Sequence, residues 1–420
     1  MKRSVCVLTT LLFCFGFLPN SLLAEEALTW KDAVLEAKKH HPDLVPAREK
    51  WNQSKADKAI TASAFFPKLN GDATLDRSKA SSSTSNAYSY GVSAKQLLFD
   101  GFKTYFDVEQ AAKKIASSEY NYRVTSSNVR LNLRIAFVDL LKAQELLHLT
   151  EEIAKRRQQS RDLIQLRYEA CREHKGSLMT AEANLAQADF EVEQAKRNIV
   201  LSERRFVTQL GRSRLTPLRA VGDLTIASFD RAKPDLEILA ETTPLLQQLI
   251  VLEEAAKWGV KSSQASFFPQ IYANASTEKS DSDWPPDKTG WSLGASFSLP
   301  LFEGGSRVAG VSKTKAALRQ AEAEERSGRN GVIFTLEENW ASFQDAMDTV
   351  DVQKKFLDAA REREAIAEAE YSTGLISFND WIIIEDNLVK AEKSFLDSRA
   401  NALTAETNWR QAKGETLDDE

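Results

Sequence analysis

The sequence predicts an α+β protein in which long antiparallel coiled-coil helices alternate with four β-strands. Three observations carry this prediction: a shortage of helix-breaking residues, an internal duplication and segments of strictly alternating polarity. The chain has 420 residues, 42% of them hydrophobic and 27% charged, with 17 glycines and 11 prolines. Because both helix breakers are scarcer than in an average soluble protein, the composition favours long uninterrupted elements over a loop-rich enzyme or an all-β sandwich.

The charge and the cysteines exclude several classes of protein. The net charge is -5, so the chain lacks the basic character of a nucleic-acid-binding protein, and we expect no nucleic-acid partner. Residues 1–24 have the basic start, the apolar run and the small residue (Ala24) of a secretory signal peptide. A membrane anchor is the alternative for that segment. Its removal would take Cys6 and Cys14 away and leave Cys171, so we expect no intramolecular disulfide.

An internal duplication relates the two halves of the chain. Phe65-Phe66-Pro67 recurs as Phe267-Phe268-Pro269, and Leu98-Phe99-Asp100-Gly101 recurs as Leu301-Phe302-Glu303-Gly304. Each half has the same order of elements: a helix, two strands, a very long helix and a closing helix. The predicted organisation is a signal peptide at 1–24, a first repeat at 25–211, an equatorial linker at 212–239, a second repeat at 240–414 and a tail at 415–420.

The longest segments are predicted to be helices. Residues 105–170 contain neither Gly nor Pro and are rich in Ala, Leu, Glu, Lys, Gln and Arg, which are good helix formers. At 1.5 Å per residue, a helix of this length measures about 100 Å. The matching segment 306–372 contains Gly310, Gly328 and Gly331, where we expect the helix to bend or fray.

The closing helix of each half, at 177–210 and 378–412, carries a seven-residue repeat. In the first of them, large apolar residues recur every seven positions from Leu178 to Phe206, and small residues follow three positions later. A repeat held over four heptads predicts coiled-coil packing, and the small residues allow two helices to approach closely.

Two pairs of segments, at 67–99 and 269–301, alternate apolar and polar residues. Alternation gives a strand one apolar and one polar face, and the length of about ten residues suits a strand of an outer-membrane barrel. Four strands cannot close a barrel, and open edges are not tolerated in lipid. Membrane insertion therefore requires an oligomer, and three chains would supply twelve strands. A small sandwich in a soluble protein is the alternative.

The order of elements, the duplication and these motifs together resemble the TolC-type outer-membrane efflux family. The resemblance covers the chain from about Leu28 to Gly414. It implies a homotrimer whose strands form a twelve-stranded β-barrel in outer-membrane lipid and whose helices form an α-barrel in the periplasm. It further implies a passive exit duct of a tripartite efflux or type I secretion system, not an enzyme, which meets an inner-membrane pump through a periplasmic adaptor protein. A soluble periplasmic coiled-coil scaffold or adaptor without a pore is the alternative.

The resemblance also implies which residues form the functional tip. In this family, acids just beyond the second hairpin narrow the closed entrance; Asp380 falls at the first of these positions and Ile383, without a charge, at the second. A three-fold ring of Asp380 would favour cations, whereas its alternative role is that of an acid at a helix N-terminus. At the first hairpin, residues 170–174 depart from the signature that adaptors recognise, so docking there stays open. The second hairpin resembles it at Thr373, Gly374, Leu375, Ile376 and Ser377.

The remaining titratable residues show no catalytic or metal-binding pattern. The four histidines are scattered except for the adjacent His40 and His41, and none has the ligands that a zinc site requires nearby in the sequence. The glycines form no nucleotide-binding motif. We therefore expect no cofactor, no metal and no catalytic residue.

Overall fold

The computed structural model describes residues 26–80, 83–226 and 232–419, so the predicted signal peptide at 1–24 lies outside the described residues. Among these residues, no helix has a stretch that is apolar and long enough to cross a membrane. The helices are α1 (Trp30–His40), α2 (Leu44–Ala62), α3 (Lys103–Glu169), α4 (Lys175–Leu210), α5 (Leu236–Thr242), α6 (Pro244–Ala265), α7 (Ser306–Thr373) and α8 (Phe378–Ala412). The strands are β1 (Glu26–Thr29), β2 (Lys68–Ala80), β3 (Ser83–Phe99), β4 (Leu218–Val221), β5 (Gln270–Asp281) and β6 (Lys288–Ser298).

Two helices dominate the molecule. Helix α3 has 67 residues and α7 has 68, so each is about 100 Å long. Helix α7 continues without a break through Gly310, Gly328 and Gly331, where the sequence predicted that it would bend or fray. Gly328 has a packing role instead: a Cβ there would lie 2.1 Å from Leu249 Cδ1 on α6. The absent side chain thus leaves room for the end of the Leu249 side chain.

The start of each half is more divided than the single helix that we predicted. Helices α1 and α2 are separated by His41, Pro42 and Asp43, and only Thr243 separates the end of α5 from Pro244, which opens α6. Proline disfavours helical geometry in the residue before it but suits the first position of a helix. Strands β1 and β4, which the sequence analysis did not predict, form a parallel two-stranded sheet that joins the segment before α1 to the linker.

The other four strands form one antiparallel sheet in the order β2-β3-β5-β6, with β2 and β6 at its open edges. One face of the sheet is apolar and exposed: Leu69, Trp291 and Leu293 are 70%, 79% and 76% exposed. The opposite face is polar, and Asn70 lies on it directly opposite Ser93. An exposed apolar face of this extent is typical of a surface that contacts lipid or another protein.

In the part of the chain that the structure describes, most buried apolar residues belong to three clusters along the helices. One lies where α1, α3, α4 and α8 meet, around Phe137 and Phe206, and a second surrounds Leu336 and Trp340 of α7. The third lies at the ends of the two long helical hairpins, α3–α4 and α7–α8. The distribution follows from the shape, since helices of this length cannot converge on a single core.

Coiled-coil packing in α4 depends on the stripe of small residues. Ala181, Ala188 and Ala195 are 2%, 4% and 2% exposed, whereas Leu185 and Val192 on the larger stripe remain half-buried. Alanine at the contact lets two helix backbones come close together. The larger stripe keeps apolar surface available beyond the contacts within one chain.

Candidate channel entrance

The second hairpin tip, residues 373–377, is a compact turn between α7 and α8. Gly374 has φ +82°, and its N–H donates to the Tyr371 carbonyl at 3.1 Å while the Leu375 N–H donates to the Glu370 carbonyl at 2.9 Å. These two bonds form a Schellman motif, in which a residue of left-handed conformation ends the helix. Ser377 then starts α8, because its Oγ accepts a hydrogen bond from the Asp380 N–H at 3.2 Å.

The first hairpin tip, residues 170–174, has the same backbone arrangement with a different sequence. Cys171 has φ +55°, and the N–H groups of Cys171 and Arg172 donate to carbonyls of Tyr168 and Arg167 at 2.9 and 2.8 Å. His174 caps α4 through its Nδ1, which accepts from the Ser177 N–H at 3.2 Å. The two tips therefore share a shape and differ in their side chains.

Tyr371 joins the two hairpins at their tips. Its hydroxyl donates a hydrogen bond of 2.9 Å to Glu173 Oε2. Arg167 lies over the Tyr371 ring at 4.3 Å and donates from Nη2 to the carbonyls of Tyr371 and Ser372 at 3.1 and 2.8 Å. Carbonyls at a helix C-terminus have no partner within the helix, so the arginine of one hairpin completes the helix end of the other.

An apolar cluster of aromatic side chains from α8 packs against Tyr371 and supports its contacts with the first hairpin. The Tyr371 ring stacks on Trp381 with a centroid distance of 4.7 Å and an interplanar angle of 13°, and Phe378 packs edge-on against both rings. Burial of Tyr371 and its hydrogen bond to the Glu173 carboxylate raise the pKa of Tyr371 to about 12. The phenol thus keeps its proton, and with it the hydrogen bond to Glu173, at any physiological pH.

A buried ion pair joins the same hairpins farther from the tips. Arg157 of α3 donates from Nη1 to Glu385 Oε2 of α8 at 2.8 Å, and their side chains are only 6% and 3% exposed. The second Arg157 nitrogen binds Asp386 at 2.5 Å. Burial raises the pKa of Glu385, and the charge of Arg157 opposes that rise. Loss of one partner from such a pair leaves an uncompensated buried charge, at a cost of about 3–5 kcal/mol.

A second set of charges lies beside this pair. Arg156 binds Glu392 through both carboxylate oxygens, at 3.2 and 2.5 Å. Glu364 of α7 is half-buried, and its desolvation together with the nearby Glu368 carboxylate raises the pKa of Glu364. The three helices α3, α7 and α8 therefore meet in a layer of coupled charges.

The two predicted constriction residues lie on the exposed side of α8. Asp380 is exposed, and its Oδ2 accepts from Ser377 Oγ at 2.7 Å, so the carboxylate also serves the start of the helix. Ile383 is 57% exposed. One turn of helix separates them, which places both on one face. The structure therefore brings these two residues together with the Ser377 end of the second hairpin tip.

The sequence analysis predicted neither the contact between Tyr371 and Glu173 nor the layer of charges between α3, α7 and α8. Tyr371 and Glu173 are separated by 198 residues and Arg157 and Glu385 by 228, so no local pattern connects them. The sequence offers one partial signal, because Tyr371 recurs in the duplication as Tyr168. The structure then distinguishes the two, since Tyr371 is buried and Tyr168 is exposed. Within the described parts of the chain, no cluster of side chains is suited to a metal ion.

Comparison with known proteins agrees with this geometry. The sequence model of the family described as outer membrane efflux protein matches residues 33–212 and 236–415. The chain belongs to the outer membrane efflux protein family. The two matched segments begin 203 residues apart (33 and 236), the same spacing that relates Tyr168 to Tyr371. As a member of this family, the protein is an outer-membrane channel that extends into the periplasm and forms the exit of an efflux system.

Individual members of the outer membrane efflux protein family are distant in sequence and close in fold. The efflux protein BepC of Brucella suis is 23% identical over 87% of this chain and 82% of its own length. TolC of Escherichia coli is 22% identical over 90% of this chain and 79% of its own. The open-state MtrE channel of Neisseria gonorrhoeae superposes with a TM-score of 0.83 at 17% identity, over 93% of this chain and 90% of MtrE. The VceC structure of Vibrio cholerae gives 0.79 at 18% identity, over 92% and 96%. These similarities confirm the predicted fold class, and the relatives are transport channels rather than enzymes.

Proposed function

We propose that three copies of this chain form a homotrimeric exit duct whose periplasmic entrance lies at the hairpin tips. The observation that carries the proposal is the pair of open sheet edges, β2 and β6, beside an exposed apolar face. Strands alternate in direction from β2 to β6, so β6 of one copy fits antiparallel beside β2 of the next. Twelve strands closed in this way leave no unpaired edge in lipid.

The proposed entrance is closed by the contacts at the tips. Tyr371 and Arg167 tie α7 to the first hairpin, and the buried Arg157–Glu385 pair ties α8 to it. Separation of the hairpins would break these contacts together. We propose that a periplasmic adaptor and an inner-membrane pump stabilise the separated state, which opens the duct.

We further propose that Asp380 and Ile383 form the constriction. Both are exposed on one face of α8, where a trimer would bring three copies of each residue around the axis. A ring of carboxylates attracts cations, and Ile383 one turn farther along adds an apolar ring that resists wetting. The hydrogen bond from Ser377 holds the carboxylate in position for this role.

The second hairpin tip is the proposed docking point for the adaptor. Leu375 is 76% exposed at the end of the hairpin, and Gly374 beside it adds no side chain to the turn. The first hairpin tip presents charged side chains on the same backbone shape, so we propose that the adaptor contacts the two tips through different chemistry. A photoreactive residue at position 375, activated in cells, should cross-link to a periplasmic adaptor; cross-links to this chain alone would contradict docking there.

Conductance measurements test the duct and its constriction. The full-length mature protein, extracted in detergent, should form discrete channels in planar bilayers with a preference for cations. Asp380→Ala should lower the ratio of K⁺ to Cl⁻ permeability about twofold or more, whereas its exposed neighbour variant Asn379→Ala should match wild type. Absence of any channel would reject the duct, and an unchanged ratio in Asp380→Ala would reject the ring.

A further inference from the structure

The register of the four-stranded sheet places a pair of lysines and a pair of carboxylates in two separate rows, and Asp76 and Lys288 lie on the same face beyond the carboxylates. Lys68 of β2 lies directly opposite Lys95 of β3. Farther along the strands, Asp72 and Glu278 belong to a single row, because Asp72 pairs with Gly91 and Gly91 pairs with Glu278. Four residues along β2 separate the two rows, which corresponds to about 13 Å.

The lysine pair has an electrostatic cost and no compensation from an acid. Like charges directly opposite each other on neighbouring strands are destabilising. Among the described residues, neither ammonium group has a carboxylate partner, and Lys95 lies over the Tyr272 ring at 4.1 Å. The lysine pair therefore leaves an uncompensated positive charge at this place on the sheet.

The acidic row has a different construction. Its carboxylates alternate with glycines in the order Asp72, Gly91, Glu278, Gly290. A Cβ at Gly91 would lie 2.5 Å from the Thr277 carbonyl oxygen and 2.8 Å from Glu278 Cβ. Glycine therefore lets β5 approach closely there, and no side chain stands between the two carboxylates.

Both rows lie on the polar face of the sheet. Leu69, Trp291 and Leu293, which are largely exposed, occupy the opposite face, and in a membrane they face lipid. The lysines and the carboxylates consequently face the interior when the sheet closes. A twelve-stranded barrel with ordinary strand spacing and tilt has a backbone diameter of about 25 Å.

We propose that Lys68 and Lys95 form a basic collar inside the β-barrel, that Asp72 and Glu278 form an acidic collar beyond it, and that the two collars set the ion selectivity of the barrel. The inference rests on the proposed trimeric duct. Solutes bearing carboxylate or phosphate groups are favoured at the basic collar, and cations at the acidic one. The Debye length is about 10 Å at 0.1 M salt and about 3 Å at 1 M, so the collars govern the lumen in dilute salt and lose their reach in concentrated salt.

Reversal potentials across a KCl gradient test the two collars with opposite signs. In planar bilayers near 0.1 M KCl, Lys68→Gln/Lys95→Gln should raise the ratio of K⁺ to Cl⁻ permeability about twofold. Asp72→Asn/Glu278→Gln should lower it by a similar factor, and both effects should shrink near 1 M KCl. Lys279→Gln is the matched control, because Lys279 is on the other face of β5 and its removal should change nothing.

The outcomes separate this inference from the proposed duct. The collars are rejected if both double variants conduct with the wild-type ratio, or if Lys279→Gln shifts the ratio as much as the lysine pair does. A wild-type protein that forms no channel rejects the duct itself and the collars with it. Each variant's unitary conductance and its trimer in mild detergent show that it has folded. Combination with Asp380→Ala should give additive shifts, because the two sites act at different places along the duct.

Discussion

At the scale of single residues, Tyr371 concentrates the contacts that hold the entrance. It donates to Glu173, stacks on Trp381 and receives Arg167 above its ring and at its carbonyl. Hydrogen bonds to charged groups contribute about 1.5–3 kcal/mol. Loss of the Tyr371 hydroxyl should therefore weaken the contact between the two hairpins at their ends.

Removal of that hydroxyl should favour the open entrance. Tyr371→Phe keeps the ring stack and loses the bond to Glu173, which we expect to cost about 1.5 kcal/mol, or about tenfold in the ratio of closed to open channels. Single-channel recordings should show larger mean conductance. Tyr168→Phe, the equivalent position in the first repeat, is the control and should resemble wild type; equal recordings for both variants would contradict the role of Tyr371.

The raised pKa of Glu364 predicts a stability effect that depends on pH. A carboxyl group whose pKa is higher in the fold than in the unfolded chain favours the fold while protonated, and this advantage is lost as the pH rises through the folded pKa. Glu364→Gln should therefore melt roughly 1–3 °C higher than wild type near pH 7, with the gap closing near pH 4.

The control for this measurement is Glu362→Gln, an exposed carboxylate on the same helix. Melting followed by the helical signal in circular dichroism is the readout. A gap that stays constant from pH 7 to pH 4 would show that the substitution acts through packing and not through the charge of Glu364.

At the scale of elements, the two hairpin tips show how one backbone geometry tolerates two sequences. The left-handed position is glycine in the second tip (Gly374) and cysteine in the first (Cys171). A residue with a Cβ pays about 1–2 kcal/mol for that conformation. The first tip therefore carries local strain that the second avoids.

Substitution at the two left-handed positions should change the local strain of each tip. Gly374→Ala should loosen the second tip and Cys171→Gly should tighten the first, each by about 1 kcal/mol or about fivefold in the hydrogen exchange of the neighbouring amides. The amides of Leu375 and Arg172, which close the two turns, are the probes. Faster exchange at Arg172 in Cys171→Gly would contradict the account.

Sequence patterns predicted the helices and strands better than the contacts between them. Absence of breakers, the seven-residue repeat between Leu178 and Phe206 and the alternating polarity at 67–99 and 269–301 are local properties, so they predicted the long helices and the strand pairs. The Tyr371–Glu173 link and the Arg157–Glu385 pair join residues far apart in the chain, and only the fold decides which charged residues are buried. The pairing of β1 with β4 was missed because strands of four residues give no periodicity.

At the scale of the whole molecule, the two duplicated halves form one sheet that does not close within a single chain. Each half contributes two strands to one sheet and one long hairpin to the helical part. The bounds of the two repeats, 25–211 and 240–414, remain a proposal. The sheet has two open edges, and apolar surface remains exposed on one face. A closed trimer would pair the two open edges, and outer-membrane lipid would cover the apolar face.

Cross-linking between the sheet edges tests this central claim most directly. Thr74→Cys on β2 would be combined in turn with Ser292→Cys and Ser296→Cys on β6, in a Cys171→Ser background that removes the free thiol. Within one copy, β2 and β6 are three strand spacings or about 14 Å apart, beyond the reach of a bismaleimide of about 8 Å. The account predicts a ladder of covalent species that ends at the trimer in at least one pair, with single-cysteine controls remaining monomeric. A product that stays monomeric in every pair, or a ladder that continues past three copies, would contradict it.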